Sequence, residues 1–90
     1  MNKLSTDEFE RAIHARLGVH ARLHTREFVR ESLEGAVWEG EVLVFVVLDH
    51  PSTTSCYAWS RGERVTAVLG LSPVTSAAKA VRAVMAAEAR

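Results

Sequence analysis

Val42-Leu43-Val44-Phe45-Val46-Val47-Leu48 is the longest apolar run in the chain, and its reading decides the fold. At seven residues it falls far short of the ~20 that a membrane-spanning helix needs. It is rich in β-branched residues, with Glu39-Gly40 before it and Asp49-His50-Pro51 after it, which marks a strand. Alternate side chains of a strand point to opposite faces. Val42, Val44, Val46 and Leu48 therefore face one way, and Leu43, Phe45 and Val47 the other. A strand apolar on both sides needs cover on both.

Outward from this strand, Glu34-Gly35 and Glu39-Gly40 carry turn or bulge signals, with Ala36-Val37-Trp38 between them. Residues 55–60, with Cys56, Tyr57, Ala58 and Trp59, read as a third strand. Arg61-Gly62 is a hairpin turn, and residues 63–71 are a fourth, β-branched strand. Upstream, residues 19–33 fit either a strand or a continued helix, and we read a loop or short strand followed by an extended segment over 28–33. Ser5 and Glu8 fit a capping box that opens a first helix. Phe9, Ala12, Ile13, Arg16 and Leu17 give it one stripe, and Gly18 ends it. Ser72-Pro73 opens a last helix with Val74, Ala78, Val81 and Met85 on one face. Six alanines between Ala77 and Ala87 allow it to approach a sheet closely.

The chain is 90 residues long, the size of one domain, 1–90. Apolar residues make up 48% of it and charged residues 24%, a balance that argues against disorder. The fold class expected is α+β: an antiparallel meander of three or four strands between an N-terminal and a C-terminal helix, with both helices mainly on one sheet face. The other face of the central strand is then left for a second copy of the chain, which predicts a homodimer. Trp38, Leu43, Phe45, Val47, Tyr57 and Trp59 are the residues expected at that face. The single cysteine excludes an internal disulfide framework. The N-terminus turns acidic by Asp7 and has no apolar leader core. Together these point to a cytoplasmic protein that does not enter a membrane.

Basic and acidic residues number 11 each, so net charge drives no binding to nucleic acid. The charge is nevertheless polarised. Residues 11–30 hold five arginines and one glutamate, and residues 31–49 hold four glutamates, one aspartate and no basic residue. Arg22, Arg26 and Arg30, spaced by four, share one side in a helix or in a strand. With Lys79 and Arg82 they form a candidate patch for an anion or a nucleic acid, against the plain reading of a solvated face neutralised by the acidic stretch.

His14, His20 and His24 cluster, and His20 and His24 share a side at a spacing of four. They could begin a metal site, but no third ligand in a zinc-type motif accompanies them. Cys56, His50 and Asp49 suggest a nucleophile, a base and an orienting carboxylate, although a cysteine in an apolar strand is usually a buried hydrophobe. Tyr57 and Trp59 share a strand face that could stack bases, yet packing is the plainer use of such residues. No phosphate-binding or dinucleotide glycine motif is present, so no cofactor is expected.

The element order resembles the α-β-β-β-α layout of double-stranded RNA-binding domains over most of the chain. That family has a lysine-rich start to its last helix. Here Ser72-Pro73-Val74-Thr75-Ser76-Ala77-Ala78-Lys79 holds one lysine. The reading that follows is a small, non-enzymatic, homodimeric interaction module with protein partners. A nucleic-acid-binding domain using the arginine face is the alternative, and a metal- or cysteine-dependent enzyme is the third.

Overall fold

A computed structural model describes residues 4–89; Met1, Asn2 and Lys3, the start of the stretch read for a leader, lie outside the described residues. The order is α1 (Thr6–Leu17), β1 (Ala21–Leu33), β2 (Ala36–Val47), β3 (Ser55–Arg61), β4 (Arg64–Leu69) and α2 (Ala77–Glu88). The four strands form one antiparallel meander in the order β1-β2-β3-β4, an α+β arrangement. Among the described residues no helix is long and apolar enough to cross a membrane.

The first helix forms as its sequence dictates. Ser5 Oγ accepts the Glu8 backbone N–H at 3.2 Å, and the Glu8 carboxylate accepts the Ser5 N–H at 2.8 Å. Two otherwise unpaired donors of the first turn are thereby satisfied. At the other end Gly18 takes φ 70°, a left-handed conformation that a residue with a Cβ resists, and its N–H returns to His14. Ser5→Ala should cost about 1 kcal/mol, read as a lower midpoint in urea with an unchanged slope.

The helices lie on opposite faces of the sheet, not on one. Phe9 and Ile13 of α1 pack on Ala21, Leu43, Phe45, Val47, Cys56, Ala58 and Val65. Ala77, Ala80 and Val81 of α2 pack on Val29, Val42, Tyr57 and Trp59. Both apolar faces of β2 therefore receive a helix within one chain, with Val37 and Val46 left exposed. The physical reason is that Val29, Val42, Tyr57 and Trp59 form a second apolar face that α1 leaves open, and the seven-residue connection 70–76 lets α2 reach it. The face that the sequence reading left for a second copy is occupied by α2, and the argument for a dimer built on that face falls with it. Four strands and this placement also depart from the three-strand layout that the element order resembled.

Three local readings change as well. Residues 19–33 hold no loop after Ala21 but one thirteen-residue strand. Gly40 is not a turn; it lies inside β2 opposite Val29. A Cβ there would stand 3.2 Å from the Trp38 ring, so glycine leaves room for an indole that meets Trp59 edge-on at 5.6 Å. The last helix starts at Ala77, not at Pro73. Ser76 is its cap, accepting the Lys79 N–H at 3.2 Å, while the Val74 N–H closes a turn onto Leu71. Its buried stripe is Ala77, Ala80 and Val81, so small side chains lie over the large rings of Tyr57 and Trp59.

Candidate functional site

Two features of the β1–β2 hairpin set its chemistry. The two-residue turn Glu34-Gly35 has φ of 51° and 85°, the turn type whose twist matches that of antiparallel strands. It fixes the register Leu33↔Ala36, Arg30↔Glu39 and Phe28↔Glu41. The second feature is a bulge. Leu23 pairs with Phe45 and Thr25 with Val44, so His24 has no residue opposite it.

The bulge reverses the alternation. Arg22 pairs with Val46, on the α2 side of the sheet, whereas Arg26 pairs with Leu43, on the α1 side. Arg22 is thus separated by the sheet from Arg26 and Arg30, and the three do not form one face. The polarised charge of the sequence is largely consumed inside the hairpin. Arg26 contacts Glu41 at 3.2 Å and Arg30 contacts Glu39 at 3.5 Å. Across the other face Arg82 of α2 reaches Glu31 at 3.2 Å. Lys79 donates to the Thr75 hydroxyl at 3.1 Å. The five cationic residues proposed as a patch therefore divide among α2 and both faces of β1.

The six residues expected at an interaction face divide too. Leu43, Phe45 and Val47 lie under α1, while Trp38, Tyr57 and Trp59 lie on the α2 side. All but Trp38 are buried and Trp38 is half-buried, so they serve the two cores and not an exterior surface.

The free surface is elsewhere, because the helices are staggered along the sheet. Leu4 and Phe9 of the α1 layer reach the level of Arg26 and Glu41. Beyond it, Phe28 and Val37 stand on the α1 side 72% and 58% exposed. On the α2 side, Val46 and Leu48 are exposed at the opposite end of the sheet. β1 is also an edge strand along its whole length. Among the described residues, no backbone hydrogen bond from outside the sheet reaches residues 21–33.

The histidines form a different group from the one their spacing suggested. The His14 and His20 rings are 4.4 Å apart. His20 Nδ1 lies 2.7 Å from Asp49 Oδ2, and the His20 backbone N–H donates to Oδ1 at 2.7 Å. His24 sits in the bulge. Among the described residues no group of three or more His, Cys, Asp or Glu is placed to hold a metal ion. The His20 ring and then its backbone N–H hold the Asp49 carboxyl below its usual 3.8. A depressed folded-state value means that this contact contributes above the unfolded-state value and fades as pH falls below it. The thermal midpoint should therefore decline less steeply in acid for Asp49→Asn than for the parent.

The nucleophile arrangement does not assemble. Asp49 serves His20, and His50 Nδ1 accepts the Ser52 N–H at 3.0 Å. Cys56 is 0% exposed under α1, and burial pushes its thiol up to about 11. At neutral pH it should resist iodoacetamide in the native protein and react once urea unfolds the chain.

A cleft of about 470 Å³ is lined by His50, Ser52, Thr53, Tyr57, Gly70 and Thr75 among others. Thr53 is nearly enclosed there. Its hydroxyl donates to the Gly70 carbonyl at 2.9 Å and accepts the Ser55 N–H at 3.1 Å. Gly70 is required at this point, since a Cβ would fall 2.9 Å from that of Ser55. These contacts tie the β2–β3 loop to the end of β4 and account for the buried polar groups of the floor.

Asp49 with His20, and the exposure of Phe28, were not visible in the sequence. The first is a contact across 29 positions. The second depends on where α1 ends over the sheet. Comparison with protein-family models, curated proteins and solved structures found no match for this chain.

Proposed function

We propose that this chain is a non-enzymatic interaction module of the cytoplasm that captures an extended segment of a partner protein along the edge of β1. The observation that carries the reading is a thirteen-residue strand paired on one side only, with Phe28 exposed midway along it. An open edge offers a row of backbone donors and acceptors to a further strand. Main-chain hydrogen bonds then supply affinity, and neighbouring side chains supply selection. The bare sheet surface around Phe28 spans only two strands, whereas a stable face-to-face interface takes roughly 800 Å² from each partner. Strand addition needs no such area.

The test is an NMR titration of the ¹⁵N-labelled full chain with strand-forming peptides. Shifts confined to residues 25–33 and their β2 neighbours, with slowed amide exchange along β1, are expected. Shifts at the hydroxyl-lined cleft or on the outer side of α2 instead would overturn the reading.

A homodimer is the second reading, favoured by the exposure of Phe28 and Val37 on the α1 side, to either side of the Arg30–Glu39 pair. Sedimentation equilibrium at low and moderate salt checks it. A species of twice the 9.9 kDa chain mass that Phe28→Ser returns to monomer supports self-association. A monomer at all concentrations removes it.

A further inference from the structure

We infer that the β1 edge is selective for a strand carrying the pattern acidic–any–apolar–any–acidic, with its acidic residues on the α1 side. This rests on the strand-capture reading above and adds the chemistry of the partner.

Beyond the His24 bulge, β1 sorts its charges by face. Arg26, Phe28 and Arg30 lie on the α1 side, and Glu27, Val29 and Glu31 on the α2 side. The strand already paired with β1 shows what that arrangement accepts. On the α1 side β2 presents Glu41 and Glu39, which meet Arg26 and Arg30 at 3.2 and 3.5 Å. The two arginine side chains remain 48% and 71% exposed. Each guanidinium has five N–H donors, so donors remain for a second carboxylate on the free side. Phe28, between them, would face the central apolar residue of the incoming strand.

The same sorting turns away a second β1. Two copies pairing antiparallel about a twofold axis normal to the sheet place residues of the same face opposite each other. Centred on Phe28, such a pairing sets Arg26 opposite Arg30 on the α1 side; centred on Val29, it sets Glu27 opposite Glu31 on the other. Like charges opposed across strands are destabilising. The occupant favoured by charge is therefore a strand of another protein with acidic residues spaced by four.

The experiment uses two fluorescein-labelled nine-residue peptides that differ only in their cores, Glu-Thr-Val-Thr-Glu and Lys-Thr-Val-Thr-Lys. Each is titrated by anisotropy against the full chain at low salt. Two cross-strand charge pairs, favourable in one peptide and unfavourable in the other, predict about a tenfold preference for the acidic core. Arg26→Glu/Arg30→Glu should reverse the preference. Because those changes also oppose Glu41 and Glu39, Arg26→Gln/Arg30→Gln provides the milder variant, expected to bring the two affinities together. Equal binding of both peptides at β1 by the parent chain overturns the charge selection and leaves strand capture standing. Binding of neither peptide at millimolar concentration overturns both.

Discussion

Phe45→Ala should lower the stability of the chain by about 3–5 kcal/mol, the usual range for emptying a large aromatic site in a core. Phe45 is 1% exposed, on the α1 side of β2, with Phe9 6.3 Å away between ring centres. It lies among Ile13, Leu43, Val47, Cys56 and Ala58. Small side chains such as Ala58 cannot swing into the vacated volume, so relaxation recovers little. A domain of this size has roughly 5–13 kcal/mol in total, so this one change removes a large share of it. The thermal midpoint by circular dichroism should fall by roughly 12 °C or more. A fall of only a few degrees would mean that α1 does not sit where Phe9 and Ile13 place it.

The second large effect belongs to the opposite layer. Trp59→Ala should also cost about 3–5 kcal/mol. Trp59 is 3% exposed beneath α2 and meets Trp38 edge-on. Its loss removes both the surface on which Ala77, Ala80 and Val81 rest and the partner of Trp38. The variant keeps Trp38 as its sole indole, so folded-state emission should shift to the red as that ring gains solvent. A large loss of stability without that shift would place the damage elsewhere. Phe45 and Trp59 point to different faces, so each effect reports on one helix. Had both helices shared a face, one of these substitutions would have been mild.

Much of this was legible in the chain. The two-sided run in β2, the Ser5–Glu8 box, the Gly18 stop and the Glu34-Gly35 turn each follow from local chemistry, and each forms as read. Which face a helix covers is not local. Nothing in the alanine-rich stretch of α2 states which side of the sheet it crosses to, and the choice depends on which apolar face α1 leaves open. The candidate patch failed for a related reason. A spacing of four keeps Arg22, Arg26 and Arg30 together only if the strand is regular, and the bulge between the first two is set by pairing with β2. The charge reading was nearer the outcome, because an acidic stretch following a basic one meets it in register once a hairpin closes between them. Cys56 was legible both as a core residue and as a nucleophile, and burial under α1 decides between them.

The unpaired His24 gives the chain a position defined by counting and not by chemistry. Nothing in the contacts described above calls for an imidazole there, so substitutions at this point should be silent. Deleting the residue should be nearly as quiet. A strand shifted by one residue exchanges its two faces, but without residue 24 neither half of β1 shifts: Leu23 stays opposite Phe45 and Thr25 opposite Val44, now as consecutive pairs. A deletion further along is a different kind of change. Without Val29, and with the distal register held by the Glu34-Gly35 turn, residues 24–28 would slide by one to fill the bulge, and Arg26 would turn beneath α2 opposite Val42. Among relatives of this chain, a gap at position 24 should therefore be accepted as readily as a substitution, and a gap at position 29 should not.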